Sequence, residues 1–110
     1  MAKRASYLPF RLHEQLVRLL SQQPGIKQVI LFGSRARGDA EDRSDIDLSI
    51  EAPDIHERQW LEIVFLLEKI DTLLPIDVVR WEDAPDTLKR KIQTEGMVLY
   101  ERPKGRSKPS

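Results

Sequence analysis

Apolar residues recur at helical spacing in two long segments of the chain. The first segment follows Pro9, which suits the first turn of a helix, and predicts an amphipathic helix that ends near Gln23. The second predicts a helix opened by Pro53 and Asp54, with Asp54 as the N-cap, and ended by Pro75. Both stripes are wide enough to pack each helix against a shared core.

Four shorter segments have the pattern of β-strands. Residues 28–32 contain a short apolar run with β-branched and aromatic side chains, which is typical of a buried strand. Residues 45–50 alternate strictly between polar and apolar, the pattern of a half-buried strand. Residues 76–80 and 97–100 predict two further strands.

The order of these elements predicts the fold class. A third long helix is indicated between the last two strands, where Pro85 and Asp86 mark its start and Gly96 suits its C′ position. Residues 33–44 are predicted to be mostly loop, with one helical turn after Ser34. Helices and strands alternate, so we expect an α/β (α+β) protein, a small mixed sheet with helices packed on it.

Length and charge limit the organisation and the partners. The 110 residues suit one domain, which we assign to residues 1–100, and residues 101–110 predict a disordered basic tail. The charges balance at 18 basic and 18 acidic residues, which argues against a direct nucleic-acid partner. No apolar run approaches the roughly 20 residues of a membrane span. We therefore expect a cytoplasmic protein.

A Gly-Ser turn follows the first predicted strand directly. Gly33 allows a tight turn and a close approach by a ligand. If a helical turn begins at Ser34, its N–H groups and hydroxyl form an anion site, to which Arg35 or Arg37 can add charge. The pattern predicts a phosphate cradle, although Gly-Ser after a strand is by itself more often an ordinary turn.

Three aspartates add a second kind of chemistry. Asp45 and Asp47 point to one face of a strand, with Cα atoms roughly 7 Å apart. Two carboxylates about 4 Å apart repel by roughly 4 kcal/mol at a surface-like dielectric, and a hard divalent cation removes that conflict. Asp77, in the next strand, completes three carboxylates of the kind that hold two metals for displacement at phosphorus. Taken alone, the Asp45-x-Asp47 pair and Asp77 are each better explained as solvent-facing residues.

The combined motif is more specific than its parts. Gly33-Ser34, ten further residues, Asp45-x-Asp47 and then Asp77 resemble the DNA polymerase β-like nucleotidyltransferase superfamily. The chain resembles in particular its smallest branch, the minimal (MNT-type) nucleotidyltransferases, over residues 29–100. The resemblance implies a polymerase β palm-like nucleotidyltransferase fold and an enzyme of that class.

The resemblance also implies a role for each acid. Asp45 and Asp47 would bind two Mg²⁺ ions, and Asp77 would bind the catalytic one and help activate an acceptor hydroxyl. That hydroxyl attacks the α-phosphorus of ATP and pyrophosphate leaves. These three residues are the predicted catalytic and metal-binding set.

The nucleotide-binding residues follow in the same way. Gly33 and Ser34 would hold the β- and γ-phosphates of ATP. Arg35 and Arg37 fall in a variable part of the motif, so phosphate contacts and solvated loop arginines both remain open.

The resemblance further implies a partner. MNT-type proteins are typically paired with a separately encoded HEPN-domain RNase toxin, and similar antitoxins neutralise it by transferring AMP to a tyrosine hydroxyl. The expected assembly is therefore a hetero-oligomer of antitoxin and toxin. Two alternatives stay open: a non-catalytic antitoxin that inhibits by binding, and the nucleotide-binding subunit of a small-molecule nucleotidyltransferase.

Overall fold

The computed structural model describes residues 8–38, 44–70 and 72–103. A 3₁₀ turn, Trp81–Asp83, precedes the last helix. The elements in chain order are α1 (Phe10–Ser21), β1 (Gln28–Phe32), α2 (Ser34–Arg37), β2 (Ile46–Glu51), α3 (Glu57–Glu68), β3 (Ile76–Arg80), α4 (Asp86–Glu95) and β4 (Met97–Glu101).

The four strands form one mixed sheet in the order β3-β2-β1-β4. Strand β1 pairs antiparallel with both β2 and β4, whereas β2 and β3 are parallel. The parallel pair is connected through α3, as a parallel connection requires a crossover. The predicted mixed sheet with packed helices is confirmed.

The main core lies between one face of the sheet and helices α1 and α3. Leu12, Leu16 and Leu20 recur every four residues and are buried, so they form the inner stripe of α1. Ile63 and Leu67 do the same for α3. The strand residues of this core face are Val29 and Leu31 from β1 and Ile46, Leu48 and Ile50 from β2.

Helix α4 packs on the opposite face of the sheet, against β1. Ile92 is its buried residue. A Cβ at Gly96 would meet the Ile30 side chain and the Ile92 carbonyl, so glycine is required there by close packing. Gly96 has φ −74° and is not left-handed, so the prediction of a C′ glycine is wrong.

Helix α3 is shorter at its start than predicted. It begins at Glu57 with His56 as N-cap, so the prediction of Asp54 as N-cap is wrong. The Arg80 Nη2 donates to the carbonyl oxygens of Ala52 and Ile55, at 2.6 and 3.2 Å. These side-chain bonds hold the chain before α3 in a non-helical path, which the local pattern could not reveal.

Helix α3 also ends earlier, at Glu68 rather than next to Pro75. The N–H groups of Lys69 and Ile70 bond three residues back, which tightens the last turn. The Thr72 hydroxyl then accepts from the Leu74 N–H at 3.1 Å. A local turn therefore replaces the last predicted helical residues.

The ordered chain continues past the predicted boundary at Tyr100. Glu101 belongs to β4, and the Arg102 guanidinium donates to the carbonyl oxygens of Ser21, Gln23 and Ile26 at 2.8–3.2 Å. This arginine satisfies carbonyls left open beyond the end of α1. The described fold thus includes residues 101–103. The rest of the predicted tail, 104–110, lies outside the described residues, as do 39–43 of the predicted loop, and the domain boundary stays a prediction.

Candidate functional site

Two of the predicted catalytic acids are direct neighbours in the sheet. In the register, Phe32 of β1 pairs with Asp47 of β2, and Asp47 pairs with Asp77 of β3. The two aspartates therefore lie side by side on parallel strands. They are at the end of the sheet where β1 finishes and where β2 and β3 begin. Asp45 is exposed and immediately precedes β2, two residues before Asp47.

Gly33 is packed directly against this pair of strands. Its φ is +81°, a conformation that favours glycine. A Cβ at this position would meet the Asp47 carboxylate oxygen Oδ2. The glycine thus allows the turn after β1 to approach the carboxylate, which places the Gly-Ser turn and the acids in one site.

The electrostatics of the site centre on Asp47. Burial raises the pKa of the Asp47 carboxyl above its ordinary value, and the negative charges of Asp77 and Asp45 raise it further. The positive charges of Arg37 and Lys91 act in the opposite direction and lower that pKa. Two other acids and two cations therefore act on the Asp47 carboxylate.

Oxygen donors of this kind suit a hard divalent cation, because it removes the repulsion that Asp47 experiences. Within residues 8–38, 44–70 and 72–103, however, no group of three acids or histidines is assembled closely enough to hold a metal ion. Metal binding by Asp45, Asp47 and Asp77 therefore stays a prediction. Side-chain movement of the exposed acids would be needed to complete it.

Ser34 is the first residue of α2 and is half-buried. The N–H groups of Ala36 and Arg37 both donate to the Gly33 carbonyl, at 3.1 and 3.0 Å. Those two donors are engaged within the turn, so the predicted cradle is left with fewer backbone donors than the sequence suggested. The motif assigns the phosphates to Ser34, and that role stays a prediction.

The two arginines of the motif lie in different environments. Arg35 is only 2% exposed, and its Nε donates to the Ser44 carbonyl at 3.0 Å. This hydrogen bond connects α2 to the segment that precedes β2, next to Asp45. Arg37 is exposed and pairs with Glu95 of α4, with 3.2 Å between Nη1 and Oε1. Nucleotide contacts by either arginine stay predictions, and the geometry of Arg35 favours a positioning role.

Two surface residues were not singled out from the sequence. Leu61 and Phe65 lie four residues apart on the outer side of α3, and each is 56% exposed. The Nζ of Lys69 lies 4.6 Å from the centroid of the Phe65 ring. The signal available in the sequence was that both residues fall outside the apolar stripe that packs into the core.

Comparison with known proteins identifies the family. The family described as Polymerase beta, Nucleotidyltransferase matches residues 14–105. The chain belongs to this family. Its domain is a nucleotidyltransferase domain, and the match covers every predicted site residue.

One relative is similar in sequence over part of its length. A protein of Methanocaldococcus jannaschii, provisionally named as a protein adenylyltransferase, is 31% identical over 61 residues. These residues make up 56% of this chain and 61% of the relative. The chain therefore spans less than two-thirds of that relative's length.

Several solved structures have the same fold. A crystal structure of a toxin–antitoxin with AMP-PNP has a TM-score of 0.66 and 26% identity, over 82% of this nucleotidyltransferase chain and 73% of that chain. An MNT antitoxin complex with a tri-AMPylated Shewanella oneidensis HEPN toxin has a TM-score of 0.60 and 24% identity, over 82% and 70%. A provisionally named nucleotidyltransferase of Sulfolobus solfataricus has a TM-score of 0.55 and 25% identity, over 86% and 80%.

These neighbours confirm the predicted polymerase β-like fold and the resemblance to the nucleotidyltransferases of toxin–antitoxin pairs. The longest helices in the described part of the chain have 12 residues, and none there is long and apolar enough to span a membrane.

Proposed function

We propose that this nucleotidyltransferase transfers AMP from ATP to a tyrosine hydroxyl of a cognate HEPN-domain RNase toxin and thereby acts as its antitoxin. The observation that carries the proposal is the alignment of Asp47 with Asp77, beside a Gly33 at which any Cβ would meet the Asp47 carboxylate. The similar structure with AMP-PNP supports ATP as donor. The name of the Methanocaldococcus jannaschii relative supports a protein acceptor.

In the proposed reaction, the acceptor oxygen attacks the α-phosphorus of ATP. The new bond is the phosphoester between that oxygen and AMP, and the bond that breaks joins the α-phosphorus to the oxygen bridging to the β-phosphorus. Pyrophosphate leaves with that electron pair, and the proton of the acceptor hydroxyl passes to water. Asp77 helps to activate the hydroxyl, since it is the more exposed acid of the aligned pair.

Gly33 and Ser34 would hold the β- and γ-phosphates at the start of α2. Arg37, whose positive charge lowers the pKa of the Asp47 carboxyl, would contact the leaving pyrophosphate in this proposal. Asp45, Asp47 and Asp77 would hold Mg²⁺, two ions in the proposal. When bound, Mg²⁺ neutralises phosphate charge and lowers the pKa of the attacking hydroxyl.

The proposed partner is a protein, and the expected assembly is a hetero-oligomer in the cytoplasm. The balanced charge of the chain supports a protein partner over a direct nucleic-acid partner. Leu61 and Phe65 supply an exposed apolar pair on α3 that suits such a contact. Replacing both by serine is expected to weaken toxin binding, measured by co-purification.

The experiment is intact-mass spectrometry of a HEPN-domain toxin encoded in the same genome, incubated with this protein, ATP and Mg²⁺. We expect the toxin to gain one or more AMP units, on tyrosine by peptide mapping. The variant Asp45→Ala with Asp47→Ala should bind the toxin but leave its mass unchanged. The matched control is Asp54→Ala, an exposed acid outside the site, which should transfer normally.

Modification by the double variant would contradict the site assignment. Neutralisation of the toxin without any mass gain would replace the proposal by inhibition through binding. A gain of AMP on a small molecule, with the toxin unmodified, would instead favour the nucleotide-binding subunit of a small-molecule nucleotidyltransferase.

A further inference from the structure

Three consecutive basic residues lie on α4: Lys89, Arg90 and Lys91. A run of charges on a helix is usually a solvated face, but successive residues point about 100° apart around the helix axis. The Nζ of Lys89 lies 5.2 Å from the centroid of the Trp81 ring, whereas the charge of Lys91 acts on the Asp47 carboxylate. Lys91 is therefore the member of the run that lies toward the candidate site.

The path of the chain places the end of α4 at the same end of the sheet as the acids. Strand β4 begins one residue after α4, and its first residue, Met97, pairs with Leu31 of β1. The next residue of β1, Phe32, pairs with Asp47. Gly96, between α4 and β4, is packed against β1. The last turns of α4 thus lie beside the Gly-Ser turn and the Asp47 carboxylate.

A second contact shows which face of α4 is directed to the site. Lys91 and Glu95 are four residues apart and share one face of the helix, with Cβ atoms roughly 6 Å apart. Glu95 accepts a hydrogen bond from Arg37 Nη1 of α2 at 3.2 Å. Lys91 is exposed and makes no hydrogen bond or ion pair with a described residue. Its ammonium group is therefore available to a ligand that binds beside α2.

The order of the strands decides which part of a ligand Lys91 would meet. Asp77 of β3 lies on one side of Asp47, and β1 with its Gly-Ser turn lies on the other. The attacking and leaving oxygens at phosphorus are roughly in line, so the acceptor and the leaving group occupy opposite sides. An acceptor beside Asp77 therefore directs the leaving group to the β1 side, where α4 presents Lys91.

We propose that Lys91 binds the β- and γ-phosphates of the donor nucleotide and stabilises the pyrophosphate as it leaves. The inference rests on the proposed function, because it assumes that these phosphates bind at the Gly-Ser turn. It adds a cation from α4, which lies outside the motif. An ammonium group forms charge-assisted hydrogen bonds to phosphate oxygens and compensates the charge that develops on the leaving group.

The test is isothermal titration calorimetry of the full chain with inorganic tripolyphosphate and Mg²⁺. Lys91→Met keeps an unbranched side chain but removes the charge, so it should weaken tripolyphosphate binding about tenfold. It should also slow AMP transfer to the toxin about a hundredfold. The matched control is Lys89→Met, which removes the same charge from the lysine over the Trp81 ring and should bind tripolyphosphate as the wild type does.

Wild-type affinity of Lys91→Met for tripolyphosphate would overturn the proposal. So would an equal loss in Lys91→Met and Lys89→Met, or no binding of tripolyphosphate by the wild type, and circular dichroism checks that each variant is folded. A loss confined to Lys91→Met, in a protein that transfers no AMP to the toxin, would retain the role of Lys91 and contradict the proposed function. AMP transfer by Lys91→Met at the wild-type rate would do the reverse.

Discussion

The two faces of the sheet differ in what their buried residues do. On the core face, Leu31 of β1 pairs with Leu48 of β2, and both are buried under α1 and α3. On the opposite face, which we call the site face, Phe32 pairs with Asp47 and Ile30 with Ser49. The same two strands supply both faces because successive side chains alternate.

The core face stabilises this small domain, whereas the site face contains groups that lower its stability. The core face removes apolar surface from water, which is the main favourable contribution to folding. The site face holds a partly buried carboxylate near two others and the buried polar residue Ser49. Unfavourable polar groups of this kind are typical of functional sites. Four substitutions test this difference, each by its effect on the free energy of unfolding.

The largest effect is expected from breaking the core face. Leu48→Ala removes a fully buried side chain from the central strand β2 and leaves a cavity. We expect a loss of about 3 kcal/mol in the free energy of unfolding, measured by urea denaturation. A loss below about 1 kcal/mol would mean that the core face relaxes around the change. The exposed Leu73 offers a matched control, because Leu73→Ala should have little effect.

The second-largest effect is expected at Gly33, where the Gly-Ser turn meets the site face. Gly33→Ala adds a Cβ at a positive φ, in contact with the Asp47 carboxylate. We expect a loss of about 2 kcal/mol and loss of AMP transfer, since both the turn and the carboxylate must move. Gly38→Ala is the control: its φ is also positive, but a Cβ there meets nothing within 4 Å. Equal losses of transfer in both variants would show that strain, and not the contact, matters.

Arg35 tests whether the buried arginine positions the site or binds the nucleotide. Arg35→Lys keeps the charge but loses the Nε donor that bonds to Ser44. We expect a loss of about 1.5 kcal/mol in stability, because the Ser44 carbonyl loses its buried partner. Tripolyphosphate affinity should change little. Normal stability with a large loss of that affinity would instead establish a phosphate contact.

The smallest effect is a gain, from removing a conflict on the site face. Asp47→Asn abolishes the charge whose pKa is raised by burial and by Asp77 and Asp45. In metal-free buffer at about pH 7 we expect it to be more stable than the wild type by roughly 0.5 kcal/mol, a small value because solvent screens a half-exposed group. Transfer should nevertheless be lost.

The stability difference between Asp47→Asn and the wild type should depend on pH. The folded state favours protonated Asp47, so its contribution to stability is full below the ordinary pKa and is lost as the pH rises through the raised pKa. The advantage of Asp47→Asn should therefore disappear in acid and grow toward neutral pH. Thermal unfolding of both proteins across this range measures it, and an advantage that is constant with pH would contradict the electrostatic cause.

The strands could be predicted because their patterns are local, and the motif that contains the candidate site residues is local in the same sense. The bounds of β1 and β3 agree with the predicted residues 28–32 and 76–80. The start of α3 could not be predicted, since Arg80 bonds the Ala52 and Ile55 carbonyls from another strand. The burial of Arg35 was equally hidden, because a charged residue in a polar loop gives no sign of being enclosed.

The amino-acid sequence by itself determined the family of this protein, the order of its elements and the identity of its three acids. Periodicity and motif spacing carry that information, because each depends on residues near one another along the chain. Only the tertiary structure decided that Asp47 lies beside Asp77, that a Cβ at Gly33 would meet the Asp47 carboxylate and that Ser49 lines a cavity. Those are consequences of strand register, which is set by packing between distant segments.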